Sequence, residues 1–418
     1  MSDEKRARPK GTNDFLPPES EHKRWVEEAF GHLANVYGFR PAETPLFEHT
    51  EVFVKTSGEG SDIVTKEMYS FADKAGRSLT LRPEGTPGVV RAALEANLRL
   101  PARLYYTGPY FRYSRPQKGR YRQFHQLGAE ALGEAAPPVD AEIILFGAEF
   151  FALVGISDCA VKVNSIGCVA CRPDHRAKLV EFLSARLDSL CDDCRQRVST
   201  NPLRVLDCKV ESCHAAVREA PAPRAHLCPE CNAHFDAVLD TLVKRNMRFE
   251  VDDRLVRGLD YYNRTTFEYT SAALGAQDSL GGGGRYDYLV REMGGPDTPA
   301  IGLAIGLERT MLASQPPLHV GRRRLCWVAW FSSAERDHAI ELADRLRAAG
   351  VPAQLDFDAT GIKRQFRSAD AANAACCLVV GPNELARGVY TLKDLGAGTQ
   401  LEVAANCAVE EVRAVFRD

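Results

Sequence analysis

The chain has 418 residues, 45% hydrophobic and 26% charged, the composition of an ordinary folded protein long enough for about two to four domains. A formal net charge of −3 excludes a wholly basic polyanion binder, so any nucleic-acid surface has to be local. No apolar run follows the charged start MSDEKRARPK, and none approaches the roughly 18–20 residues that span a bilayer, so the expected location is cytoplasmic with no membrane partner.

In chain order, PKGTNDFLPP at residues 9–18 is a turn-rich entry. Apolar Trp25, Val26, Ala29, Phe30, Leu33 and Val36 recur at three- and four-residue spacing, which predicts a helix over residues 19–37 ended by Gly38. Residues 39–48 read as extended, Pro-punctuated chain suited to a domain or subunit boundary. LTLRPEGT, residues 79–86, is a short strand broken at Pro83. Glu84 and Thr86, a carboxylate and a hydroxyl at a strand end, can receive an ammonium group, with an exposed turn glutamate as the plain alternative. A helix follows over residues 86–98.

Residues 105–130, YYTGPYFRYSRPQKGRYRQFHQLGAE, hold Arg112, Arg115, Lys118, Arg120 and Arg122 around a turn, with Glu130 as the only acid. The reading is an antiparallel hairpin, strands 104–113 and 121–132, whose basic loop holds polyphosphate. Alternation puts Arg122, Phe124, Gln126 and Glu130 on one face. A solvated basic edge would not need the amide and the carboxylate there, so a zwitterion beside a polyanion is the expected ligand pair.

Asp140 is expected to cap an apolar helix at residues 141–154, before a buried strand AVKVN at residues 160–164. Residues 168–246 then change texture, with two amphipathic helices predicted at 174–190 and 232–246 in an inserted helical module. Strand-rich sequence resumes at Arg248. Within it RGLDYY places Arg257 before a glycine and two tyrosines, Tyr261 and Tyr262. LGGGGRY, residues 280–286, has neither the spacing nor the distant acid of a dinucleotide fingerprint, and suggests close approach of backbone or ligand. IGLAIGLERT leads from a strand into a helix that presents Arg309 near its start, a fixed cation for a phosphate.

Thirteen cysteines are many for such a chain, and eight lie between residues 168 and 231. Pairs at CxxC spacing suit tetrahedral Zn²⁺, two pairs completing one site, with Cys191, Cys194, Cys228 and Cys231 the best-spaced tetrad; free thiols are the alternative. Residues 313–324 form a Pro- and Arg-rich linker. Beyond it strands at 325–331, 353–357, 375–380, 389–395 and 400–403 alternate with helices at 334–349, 361–373 and 409–416, a separate α/β domain.

Taken in order, LRPEGT, FRYSRPQKGRYRQFHQLGAE, LVRGLDYYNRTTFEY with GGGGRYD, and GLAIGLERT resemble the histidyl-tRNA synthetase family of class II aminoacyl-tRNA ligases. The resemblance extends over nearly the whole chain. It implies an α+β catalytic domain with an antiparallel sheet in two parts (1–167 and 247–312), the inserted module (168–246), the linker (313–324) and a C-terminal α/β anticodon-binding domain (325–418). It also implies a homodimer acting on ATP with Mg²⁺, L-histidine and tRNA-His. By the same resemblance Arg112 holds the α-phosphate and the amino-acid carboxylate, Arg120 belongs to the phosphate loop and Arg309 takes the γ-phosphate. Glu84 and Thr86 receive the α-ammonium beside Gln126, while Glu130 and Tyr262, next to Tyr261, bind the imidazole. Arg257 stands opposite Arg112 as a fixed cation, and Arg115 and Gln117 face the tRNA acceptor end. The family usually has glutamate where Ser114 stands, which affects the adenine end. The family as a whole does not need a zinc. A non-catalytic paralogue that regulates histidine biosynthesis is the rival reading, opposed by the retained arginines.

Overall fold

The computed structural model describes residues 7–57, 61, 63–208, 210–317, 323–358 and 361–416. It divides into two compact units, residues 1–315 and residues 316–418.

The first unit opens with α1 (Glu19–Val36), β1 (Arg40–Pro41), β2 (Phe47–His49), α2 (Thr50–Ser57), β3 (Tyr69–Ala72), β4 (Ser78–Leu81) and α3 (Thr86–Glu95). Then come β5 (Ala102–Phe111), β6 (Gln123–Leu132), α4 (Pro137–Leu153) and β7 (Ala160–Ser165). A helical stretch holds α5 (Arg172–Ser184), α6 (Asp192–Thr200), α7 (Glu211–Ala216) and α8 (Pro229–Lys244). Strands resume with β8 (Glu250–Val251), β9 (Asn263–Thr270) and β10 (Ser279–Arg285), before α9 (Leu289–Glu292), β11 (Ala300–Gly306) and α10 (Leu307–Ala313).

Eight strands form one sheet in the order β1-β5-β6-β11-β10-β9-β7-β8, and β2-β4-β3 make a smaller one. The body of the large sheet is antiparallel, as expected. Its short edge strands β1 and β8 pair in parallel, which makes the whole mixed. One face is covered by apolar side chains of α1, α4 and α8, including Phe30, Phe146, Phe150 and Phe235, packed on Leu127, Phe267 and Ile301 of the strands. Burial of this kind contributes about 25 cal/mol per Å² of apolar surface removed from water. Smaller apolar clusters, one around Val89, Tyr106 and Tyr110 and one joining Leu132, Tyr262 and Tyr286 to residues of the inserted stretch, lie apart from this core.

Helix α4 departs from expectation at its start. It begins at Pro137, whose lack of an N–H costs nothing in a first turn, and Asp140 lies inside that turn rather than capping it. The Asp140 carboxylate is fully buried, 3.0 Å from the Arg285 guanidinium of β10 and 2.8 Å from the His234 ring of α8. It ties three elements together from a position where a negative charge also complements the helix dipole. The inserted stretch carries four helices rather than two, because α6 and α7, of 9 and 6 residues, are too short to show an apolar period and are anchored instead by buried Cys194 and Cys213.

The second unit contains β12 (Arg323–Trp330), α11 (Ser333–Ala348), β13 (Ala353–Gln354), α12 (Ile362–Ala371), β14 (Ala374–Val380), α13 (Pro382–Arg387), β15 (Val389–Asp394), β16 (Gln400–Ala404) and α14 (Ala408–Val415). Its sheet runs β13-β12-β14-β15-β16, parallel across the first three strands and antiparallel after them. Ser332 and Glu335 form a capping box that starts α11. Val328, Leu342, Leu346, Leu378 and Val380 fill a core of its own. Helix α13, not foreseen, is framed by Pro382 and by Gly388 at φ 66°. Among the described residues no helix is long and apolar enough to cross a membrane.

Candidate active site

Strand β6 sets the site. Phe124, Gln126 and Glu130 share one face, as the alternation predicts, and two adjoining cavities open along it. Arg122 does not join them: it precedes the strand, its Nε donates to the Ser114 carbonyl and its guanidinium stacks 4.0 Å above the Tyr113 ring. The entry segment is folded onto this region, the Gly11 carbonyl accepting from the Arg122 N–H at 2.7 Å.

The first cavity, of about 320 Å³, is lined by Arg112, Ser114, Arg120, Phe124, Arg257 and Arg309, among others. Arg309 sits in the first turn of α10, its Nε donating to the Gly119 carbonyl and Nη1 to the Ser279 carbonyl, so it bridges the hairpin turn and β10. Burial first, then Arg120 and Arg112, lowers the Arg309 pKa, a direction an arriving polyanion would reverse. Arg120 is held 2.6 Å from Glu67. The Glu308 carboxylate is engaged by the His125 N–H and ring, and the ring of Phe15 meets that histidine edge-on. The buried Ser114 hydroxyl has no hydrogen-bond partner among the described residues.

The second cavity, of about 440 Å³, is lined by Glu84, Thr86, Gln126, Tyr261 and Tyr262, and it shares Arg112, Arg120 and Arg257 with the first. Tyr261 donates to Glu84 at 2.8 Å; burial, then the Glu84 charge, raises its pKa well above the usual phenol range and keeps it a donor. The buried Oε1 of Gln126 and Nε of Arg257 have no partner among the described residues. Arg257 is fixed instead through Nη1, 2.8 Å from Glu268, while its guanidinium lies against Gly282, where a Cβ would come within 2.9 Å of it. The glycine run is therefore a seat for this arginine as well as a close-packed strand.

Glu130 is fully buried beneath the second cavity. Its carboxylate accepts from Thr86 at 2.6 Å, Tyr106 at 3.0 Å and Tyr286 at 2.6 Å. Three of roughly four lone-pair positions are thus taken by hydroxyls, and the carboxylate itself lines neither cavity. Burial pushes its pKa up to about 7 against the pull of the three hydroxyls. Space for the carboxylate comes from Gly302, its direct cross-strand neighbour on β11.

Tyr106 and Tyr286 were missed by the sequence reading. Tyr106 pairs with Gly128, and its ring fills the space over Gly128 and Gly85, which lets it reach Glu130 diagonally; only strand register reveals that. Arg197, Arg204 and Asp207 of the inserted stretch also line the second cavity and had no local signal. Arg115 and Gln117 are exposed on the hairpin turn, outside both cavities.

The cysteine expectation needs correction. The tetrad Cys191, Cys194, Cys228 and Cys231 does not assemble. Cys228 and Cys231 meet Cys168 and Cys171, while Cys191 and Cys194 meet Cys208 and Cys213. Topology decides this: the chain leaving β7 arrives at the start of α8, and α6 packs on the segment leading into α7.

Known proteins resemble this chain over nearly its whole length. A family profile described as histidyl-tRNA synthetase matches residues 11–310, and one described as an anticodon binding domain matches residues 326–415. The chain is 46% identical over 415 residues to the histidine–tRNA ligase of Desulforudis audaxviator and 45% identical over 415 residues to that of Moorella thermoacetica, covering 97% of this chain and 98% of each relative. Apo histidyl-tRNA synthetase of S. aureus is a structural neighbour with a TM-score of 0.80 and 31% identity, over 97% of this chain and 99% of that one.

Proposed function

The chain belongs to the histidyl-tRNA synthetase family, and from that premise we propose how its two cavities divide the family's reaction. The protein is an aminoacyl-tRNA ligase that activates L-histidine with ATP and transfers it to tRNA-His. The first cavity takes the polyphosphate of ATP, entering as its Mg²⁺ complex, against Arg309 and Arg120. The second takes histidine, its ammonium at Glu84, Thr86 and Gln126.

The observation that carries this reading is the shared wall. Arg112 and Arg257 line both cavities, so a carboxylate in one and an α-phosphate in the other would meet between two fixed guanidinium groups. In-line attack of the carboxylate on the α-phosphorus forms the mixed anhydride and expels pyrophosphate. It needs no enzyme nucleophile, only positioning and stabilisation of the added negative charge. Arginine suits this because its planar fork stays charged and fixes geometry. At the ring end, Glu130 offers an acceptor and Tyr262 a phenol to the two imidazole nitrogens, and an apolar isostere would leave both unpaired. Ser114 leaves the adenine end with a single hydroxyl in place of a carboxylate. We assign the exposed Arg115 and Gln117 to the acceptor end of the tRNA, and the second unit, which matches an anticodon binding domain, to its anticodon.

A cytoplasmic homodimer fits these parts. The small sheet exposes Phe47 and Phe71, in edge-on contact with each other, the kind of apolar pair a second copy would cover. The regulatory-paralogue reading is weaker, since Arg112, Arg257 and Arg309 all stand at the cavities. Amino-acid-dependent exchange of pyrophosphate into ATP tests the assignment. Histidine alone should stimulate it, and stimulation by another amino acid with none by histidine would overturn it.

A further inference from the structure

The eight cysteines of the inserted stretch are not used by the ligation reaction, and their placement is more ordered than loose thiols require. In each group of four the Sγ atoms all lie within 4.8 Å of one another. In the first group Cys168 is 3.6 Å from Cys171 and 3.9 Å from Cys228, and Cys171 is 3.7 Å from Cys231. In the second, Cys191 is 3.9 Å from Cys208. Four sulfurs on a tetrahedron about 2.3 Å from a central zinc are separated by about 3.8 Å edge to edge. A disulfide brings its sulfurs to about 2.05 Å, and all eight thiols are free.

Helix starts and backbone N–H groups face several of these sulfurs. Cys171, Cys191 and Cys228 sit at the N-caps of α5, α6 and α8, where the helix dipole favours negative charge. The Cys168 N–H donates to the Cys171 sulfur at 3.1 Å, and the Cys191 N–H donates to the Cys213 sulfur at 3.1 Å. Most of these side chains are buried.

We propose that this chain carries two separate structural Zn²⁺ ions, each bound by four thiolates, one by Cys168, Cys171, Cys228 and Cys231 and the other by Cys191, Cys194, Cys208 and Cys213. Each ion is taken up as four thiols give up their protons. The first centre fastens the end of β7 to the starts of α5 and α8. Directly beside it Arg172 donates to the Tyr262 carbonyl, and Gly167 accepts from the Arg264 N–H at 2.9 Å, so it braces the segment that carries Tyr262. The second centre holds residues 202–208, whose Arg204 and Asp207 line the second cavity. Arg204 lies against Gly258, and Asn201 donates to Asp260 at 2.6 Å. These ions are positioning groups that touch no reacting atom, and their presence does not depend on the reaction assigned to the cavities.

The test uses full-length protein purified without chelator. Elemental analysis should find about two zinc per chain, with a sulfur-only first shell near 2.3 Å by X-ray absorption. Cys168→Ser and Cys208→Ser should each lower the content to about one. If either variant fails to fold, mercurial titration of the wild type gives the same answer by releasing one zinc for about every four thiols modified. Fewer than about 0.2 zinc per chain would overturn the proposal. So would disulfides in place of metal, a mixed nitrogen and sulfur shell, or a single zinc indifferent to both substitutions.

Discussion

At the scale of single residues, Glu130 and Arg257 are the two side chains whose settings make numerical demands. With a pKa raised from 4.5 to about 7 by burial, Glu130 in the folded chain keeps a proton that the unfolded chain has released between those values. Folding stability therefore falls as pH rises through that window and levels off above about 7, by a total on the order of 3 kcal/mol. Glu130→Gln removes the slope. Urea midpoints measured near pH 5 and near pH 8 should differ clearly in the wild type and much less in the variant, and an unchanged difference would assign the slope to another group. The same substitution should lower kcat/KM for histidine by about 10²-fold, since the pocket loses its charged acceptor. Arg257 is held by Glu268 and Gly282 in a fixed pose at the shared wall. Arg257→Ala should cut adenylate formation by about 10²-fold or more while ATP affinity stays within a few fold; an equal loss of both would make it a ground-state ligand.

At the scale of elements, the site depends on which residues neighbouring strands place opposite each other. Gly302 faces Glu130 across β11 and β6, and a Cβ there would lie 1.6 Å from the carboxylate oxygen. Since that carboxylate is already fastened by three hydroxyls, it cannot swing aside. Gly302→Ala should cost about 2–4 kcal/mol in urea denaturation and take the histidine-dependent step down with it. A change below about 0.5 kcal/mol would mean the strands can spread. Sequence order located the strands but not this register. Glu130 and Gln126 were readable as sharing a face because side chains alternate, whereas Tyr106 and Tyr286 enter the network from neighbouring strands whose alignment no local pattern specifies.

For the whole molecule, both cavities are lined entirely by residues of the first unit, while the second has its own sheet and core. A chain ending at residue 315 should accordingly keep histidine-dependent pyrophosphate exchange within about tenfold and lose tRNA charging by about 10²-fold or more, because only the second step calls on the anticodon. Retained charging would remove the second unit from tRNA recognition. Taken alone, the sequence determined the family, the helices and strands with strong periods, and part of the polar lining of the cavities, Arg112, Arg257, Arg309, Glu84, Gln126 and Tyr262 among it, because these stand in short motifs legible locally, whereas Glu67, Arg197 and Glu308 carry no such signal. The tertiary structure decided three other matters. It put Asp140 inside a helix as a buried hub, brought Arg204 and Asp207 of the inserted stretch to the second cavity, and sorted eight cysteines into two groups instead of the tetrad that spacing favoured. Spacing along a chain limits only near neighbours, and contacts between residues tens of positions apart follow from how the sheet and helices pack.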